Sequence, residues 1–166
     1  MRSREGHFLL AGGVAAADRL TKWLVETRVA PWESIAVAPG LLNIVHSKNR
    51  GAAFGLFSEH SDAWRTAVLV GVSGAVGLAV AVMLWQATAA DSKESRWMRA
   101  ALALVLGGAA GNLYDRLRFG MVTDFLDLHW RSYHWHTFNL ADSAITAGAA
   151  LIALDLWLSR RREAKT

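Results

Sequence analysis

Apolar residues along this chain fall in long runs rather than at the spacing of a single helix face. Trp64 to Ala87 is the clearest run, interrupted only by Arg65, and further runs follow from Trp97 and from Phe138. Each is long enough for the roughly 20 residues of helix that cross a hydrocarbon core. The pattern predicts spans over about 64–87, 97–117 and 138–158. At the N-terminus "FLLAGGVAAAD" follows Arg2 and Arg4, and two readings compete. The basic start and the A-x-A at Ala15–Ala17 carry the marks of a signal peptide with its cleavage site. The preferred reading carries the helix through Asp18, Arg19 and Lys22 to Val25, a first span over about 8–25 with charged last turns. The chain is then a single integral-membrane domain, 1–166, with four spans.

The polar stretches between the spans differ in kind. The outer segment, 27–63, is too polar to cross a membrane and too apolar for a plain linker. Within it "SIAVAPGLLNIVHS" holds short β-prone runs around Pro39 and Gly40, a hairpin pattern. "NRGAAFGLF", Asn49 to Phe57, is amphipathic and glycine-punctuated, as a segment lying in the interface would be. The expected fold class is an all-α membrane protein: four transmembrane helices, a small extracytoplasmic β-sheet or cradle, and a short amphipathic interfacial segment. The connector from Ala87 to Arg96 reads as a polar turn. The one from Leu117 to Thr137 carries "LHWRSYHWH", whose Trp130, Tyr133 and Trp135 have the composition of an aromatic belt. No internal repeat is visible.

Composition agrees with the pattern: 53% of the 166 residues are hydrophobic and 19% are charged, which makes a soluble core a poor second reading. Arg2 and Arg4, then Lys93, Arg96 and Arg99, then Arg160, Arg161, Arg162 and Lys165 share one side if both termini are cytoplasmic. Arg28, Lys48, Arg50, Arg116, Arg118 and Arg131 fall on the other side, several beside carboxylates or asparagines, where function rather than topology accounts for them. A net charge of +4 suits contact with anionic lipid heads. Nucleic-acid binding is unsupported, because the basic residues flank spans instead of forming a stripe. There is no cysteine, hence neither disulfide nor thiol chemistry.

The four-span arrangement makes scattered polar residues converge. Asp18, Lys22, Asn112, Asp115, Arg116, Asp124, Asn139 and Asp142 all fall at or just inside the outer interface. Carboxylates in a span cost of order 2.5–3.5 kcal/mol each on insertion scales and face a protein interior or a wet cavity. Asp18 precedes Lys22 by one helical turn, the favourable order for an ion pair. Asp115 has Arg116 beside it, and a nearby cation favours the ionised carboxylate. Asp124 and Asp142 have no sequence-adjacent cation. Asn139 can cap the fourth helix with Asp142 at N3, in the manner of a capping box. The same N-x-x-D spacing recurs at Asn112 and Asp115, near the end of a helix, where such a cap has no use. Two carboxylates held close in a poorly solvated site share a proton, one acting as base on a water and the other protonating a carbonyl oxygen. Asp124 and Asp142 fit that role better than Asp115 does.

Other chemistries fit less well. "GVSG" at Gly71–Gly74 resembles the serine motif of rhomboid intramembrane proteases, but a nucleophilic serine needs a positioned base and no histidine lies in a later span. There is no H-E-x-x-H. His134 and His136 alternate beside tryptophans, and interfacial histidines need no metal. A proton-coupled transporter would place its ionisable groups near the midplane, often in repeated halves. A lipid-binding scaffold would use the acidic residues only as caps.

Four blocks, taken together, are specific: "DRLTKWL" at Asp18–Leu24, "NRGAAFG" at Asn49–Gly55, "GGAAGNLYDRLRFGMVTDFLD" at Gly107–Asp127 and "FNLADSAI" at Phe138–Ile145. In this order, through nearly the whole chain, they resemble the lipoprotein signal peptidases of bacteria, signal peptidase II. The resemblance implies a four-span aspartic endopeptidase of the cytoplasmic (inner) membrane, with its active site near the outer face. It implies a diacylglyceryl-modified prolipoprotein as substrate, cut on the amino side of the lipidated cysteine. By motif, Asp124 and Asp142 correspond to the catalytic pair. Asn49, Arg50, Gly51, Asn112, Asp115, Arg116 and Asn139 correspond to the polar cluster around substrate, and Asp18 and Lys22 to the pair in the first block. No metal and no organic cofactor is implied; membrane lipids are the expected surroundings and a monomer the expected state. In "HWHTFN" many members have a proline before the phenylalanine, so the conformation of this loop, 129–137, does not carry over.

Overall fold

The computed structural model describes residues 4–31, 33–51, 62–131 and 133–163. The elements follow in the order α1 (Arg4–Arg28), β1 (Ser34–Ala38), β2 (Leu42–Asn49), α2 (Asp62–Ala87), α3 (Arg96–Phe119), β3 (Val122–Trp130), β4 (Tyr133–His134) and α4 (Leu140–Glu163). Most of the amphipathic segment expected at 49–57 lies outside the described residues.

The helices have 24 to 26 residues, enough at 1.5 Å per residue to rise about 36–39 Å. Two carry stretches long and apolar enough to cross a bilayer, Thr66–Ala87 with mean hydropathy 2.4 and Leu140–Arg161 with 1.4. Val72, Val76, Leu78, Val82 and Trp85 of α2 are exposed, an arrangement that suits lipid and not water. α1 is different: its buried residues His7, Ala11, Asp18, Lys22 and Val25 recur at helical spacing, so one polar-containing stripe faces the bundle. The helix runs unbroken through Ala15–Ala17 and buries Asp18 and Lys22 beyond them.

α3 is the centre of the bundle and packs against α1, α2 and α4. Small residues make this possible. A Cβ on Gly111 would stand 2.6 Å from Asp18 Oδ2, and one on Gly107 would stand 2.5 Å from the Ala11 carbonyl oxygen. "GGAAG" is therefore the surface on which α1 lies, and Gly108 gives the same clearance to the backbone of α4 at Ala141. Ser95 starts α3 by accepting from the N–H groups of Trp97 and Met98, and its hydroxyl donates to Asp155 of α4 at 2.7 Å. Gly120 ends the helix at φ 71°, its N–H returned to the Arg116 carbonyl.

At one end of the bundle Ala11, Leu84, Ala87, Met98, Leu102 and Ala103 form an apolar core. At the other end the chain builds an antiparallel sheet, ordered β1-β2-β3-β4. β1 and β2 form the hairpin expected around Pro39 and Gly40. β3 and β4 correct the sequence reading of 117–137 as a connector with an aromatic belt. Trp130, Tyr133 and Trp135 are indeed exposed, but β3 pairs with β2, Ser47 opposite Asp124 and Asn49 opposite Val122. Its first four residues are all buried, two of them polar, so the strand lacks the apolar-polar alternation that would have betrayed it. Val25, Val29 and Phe125 join sheet to bundle.

Candidate active site

The polar residues that sequence reasoning brought together do meet, where the C-terminal ends of α1 and α3, the start of α4 and strand β3 converge. Lys22 is the centre of one cluster and is fully buried. Its ammonium lies 2.7 Å from Asp18 Oδ2 and 2.9 Å from Asp115 Oδ2, and donates to Asn112 Oδ1 at 2.9 Å. The ammonium thus makes two ion pairs and one hydrogen bond. The expected Asp18–Lys22 pair is present, and Asp18 does more: its Oδ1 accepts the Ala141 N–H at 2.9 Å, capping α4 from another helix. The pairing expected for Asp115 is corrected. Its direct ion-pair partners are Lys22 and Arg19, the latter at 3.2 Å, while the adjacent Arg116 acts on it through longer-range charge. Consecutive residues on a helix point about 100° apart, so a sequence neighbour is rarely a spatial one. Arg116 instead reaches toward Ser73, at 3.5 Å, and stands within electrostatic range of Asp124 and Asp142.

The second cluster is held by amides. Asn139 is fully buried and caps α4: its carbonyl accepts from the Ser143 N–H, and its Oδ1 accepts from the Asp142 N–H at 3.0 Å. Asp142 Oδ2 accepts the Asn139 N–H at 3.2 Å in return. The capping box is therefore real. It does not exhaust Asp142, whose Oδ1 accepts from Asn112 Nδ2 at 2.8 Å. Asn139 Nδ2 in turn donates to Asp124 Oδ1 at 2.7 Å and to Asn112 Oδ1 at 3.2 Å. Asn112 is oriented by this arrangement: the ammonium of Lys22 claims its oxygen, which turns its Nδ2 toward Asp142.

Asp124 Oδ2 accepts from Asn49 Nδ2 at 2.9 Å. Asn49 Oδ1 accepts the Gly51 N–H at 2.8 Å, and Gly51 has φ 79°. A Cβ at Gly51 would strike the Leu69 side chain, so "NRG" is the sequence of a tight turn that presents Asn49 to the carboxylate. Arg50, in the same turn, is exposed. Burial pushes the Asp124 carboxyl up; the Asn49 and Asn139 donors pull it down and the Asp142 charge raises it again, leaving it at about 6. Asp124 is 2% exposed while Asp142 is half-buried. Beside Asp142 a groove of about 690 Å³ runs along one face of α4, past Thr146 and Ala150, and is walled by Leu128, Trp135 and Phe138.

Sequence reasoning missed a third group. Glu26 Oε1 accepts from Lys48 Nζ at 2.8 Å and from Thr123 Oγ1 at 2.6 Å, while Oε2 pairs with Arg19. This ties the end of α1 to β2 and β3 one residue before Asp124. Arg19 and Glu26 share a helix face at i, i+7, which sequence offers, but their partners are on other elements, which it does not.

Comparisons with known proteins give the family. Residues 10–158 match the family described as Signal peptidase (SPase) II. The chain is 51% identical over 155 residues to a lipoprotein signal peptidase of Solibacter usitatus, covering 93% of this chain and 92% of that one. It is 41% identical over 152 residues to a lipoprotein signal peptidase of Geobacter sulfurreducens, covering 92% and 91%. A solved structure described as a bacterial membrane enzyme superposes with a TM-score of 0.74 at 30% identity, covering 93% of this chain and 88% of that one.

Proposed function

The chain belongs to the signal peptidase II family and is an aspartic peptidase that removes signal peptides from prolipoproteins; from that premise we propose that Asp124 and Asp142 are its catalytic pair. The observation that carries the assignment is the amide bridge. Asn139 holds Asp124 with its side chain and Asp142 with its backbone N–H, so two carboxylates from different elements stand at one helix start.

In the mechanism one aspartate is ionised and the other protonated, and a water lies between them. The ionised carboxylate takes a proton from the water as its oxygen attacks the scissile carbonyl, and the acid gives its proton to the carbonyl oxygen. Collapse of the tetrahedral intermediate breaks the C–N bond, with a proton passed to the departing amine. The signal peptide leaves with a carboxylate, and the lipidated cysteine keeps the new amino group. Arg116 and Arg50 supply positive charge around the site, and the aspartates carry the proton transfers without a metal or organic cofactor. The groove beside Asp142 offers an apolar surface to a substrate whose cysteine carries two acyl chains.

All four helices cross the membrane in this reading, α1 and α3 with their charges turned inward. Arg4 stacks on Trp85, Arg96 on Trp97 and Arg161 on Trp157, all at the end of the bundle away from the sheet. Basic and aromatic residues at one interface support cytoplasmic termini, and hence a sheet and active site at the outer face of the bacterial inner membrane. Membrane lipids surround a monomer. A transporter finds no support, since the titratable cluster sits at one end and not at the midplane.

The test is cleavage of a diacylated prolipoprotein peptide by purified Asp124→Asn and Asp142→Asn variants that melt as wild type does. Loss of turnover in both supports the pair; wild-type turnover in either removes that residue from the chemistry.

A further inference from the structure

Outside the active site, β3 and β4 bring a carboxylate and two imidazoles together. Asp127 and His129 are two residues apart on β3 and so face the same way, and His134 is the cross-strand partner of His129. The sequence pattern D-x-H with a histidine returning across a tight hairpin thus places all three on one face. Sequence reasoning had paired His134 with His136; the structure gives His134 to Asp127 and leaves His136 on the wall of the groove. We propose that Asp127, His129 and His134 form a binding site for a divalent transition-metal ion of the zinc class.

Three observations support it. One ligand atom from each residue lies within 4.8 Å of the others. His134 Nδ1 is 2.9 and 3.2 Å from the two oxygens of Asp127, and His129 Nδ1 is 3.9 Å from Oδ2. A tetrahedral zinc with bonds of about 2.0–2.2 Å spaces its ligand atoms roughly 3.3 Å apart, so small side-chain rotations bring these three into ligating position. An ordinary carboxylate–imidazole pair explains His134 alone. A second imidazole stacks on the first, at 5.0 Å between centroids and 16° between planes, and its Nδ1 lies 3.5 Å from the Asp127 backbone carbonyl oxygen and 3.9 Å from the same carboxylate. Two imidazolium cations in that stack would repel, whereas two neutral nitrogens and one carboxylate are a zinc donor set.

The surroundings suit a metal as well. Asn43, opposite Asp127 on β2, donates to Oδ2 at 3.3 Å and orients the carboxylate from outside the cluster. Asp127 is buried, while the His134 side chain is 55% exposed, leaving an entry path and a position for water as fourth ligand. The next residue, Trp135, donates its N–H to the Leu128 carbonyl, and both line the groove beside Asp142. An ion here pins β4 to β3 and stiffens that wall without touching the aspartates.

The test uses tag-free full-length protein in detergent, stripped of metal with a chelator and titrated with zinc chloride by calorimetry. Cobalt(II) serves as a second probe through its visible absorption. The expected result is one ion per chain with a dissociation constant in the micromolar range. The double variant His129→Gln, His134→Gln should bind more weakly by about tenfold or more while still cleaving substrate. In wild type, zinc should protect His134 from acylation by diethyl pyrocarbonate, a readout that needs no variant. Absence of saturable binding by wild type, unchanged binding in the double variant, or equal acylation of His134 with and without zinc would each overturn the site.

Discussion

Two carboxylate pairs share the sheet end of this bundle and are held in opposite ways. Asp18 and Asp115 converge on the ammonium of Lys22, with Arg19 beside them. Asp124 and Asp142 take their hydrogen bonds from the amides of Asn49, Asn112 and Asn139 and from a backbone N–H. The first arrangement is closed: the buried ammonium is ringed by two carboxylates and an amide oxygen, which lock α1 to α3, and Asp18 caps α4. The second is open. Each oxygen of Asp124 and Asp142 receives one N–H there and keeps a lone pair for a proton or a water. Asn112 belongs to both, bonded through its oxygen to Lys22 and through its nitrogen to Asp142. The two pairs differ not in burial alone but in what donates to them: an ammonium in one, amides in the other.

The comparison breaks most sharply on activity. Asp124→Asn keeps the shape of the site and removes its proton transfer, so cleavage should fall by roughly 10²- to 10⁴-fold, measured under single-turnover conditions. Lys22→Met should instead act on stability. It leaves Asp18 and Asp115 buried without their ammonium and should cost about 3–5 kcal/mol, read as a fall in the melting temperature in detergent.

Asn139→Ala tests both arrangements, because Asn139 belongs to the helix cap and holds the proposed catalytic pair. Loss of the cap should cost about 0.5–2 kcal/mol, with a fall in kcat beyond what that loss explains. The smallest effect is a shift in pH dependence. Burial raises Asp124 to about 6 from 3.8, so the free enzyme should lose kcat/KM as pH climbs through about 6. Asn49 donates to the ionised form, so Asn49→Ala should move that limb upward. The same shift bears on folding. A raised carboxyl favours the folded state fully below pH 3.8, and that contribution is lost as pH rises through about 6.

How much of this was legible beforehand depended on whether the physics was local. The apolar runs of α2 and α4 are legible because lipid-facing helices need apolar residues on most sides. The Asn139–Asp142 box was legible because both partners lie within one helical turn. β3 was not, since its buried Thr123, Asp124 and Asp127 break the alternation that marks a strand. Nor were the direct ion-pair partners of Asp115, or Lys48 and Thr123 around Glu26, which come from other elements. Motif resemblance pointed to Asp124 and Asp142 as a pair, and the structure added the asparagines that hold them.

The proposed function implies a division of labour: the amide-held pair performs the chemistry while the lysine-held pair secures the fold. Its most direct test is to measure melting temperature and cleavage of a diacylated prolipoprotein peptide side by side for Asp142→Asn and Lys22→Met. The prediction is native melting with no turnover for Asp142→Asn, and depressed melting for Lys22→Met with turnover persisting in the fraction that remains folded. Near-wild-type cleavage by Asp142→Asn, or an activity loss there that merely follows a loss of folding, would contradict it.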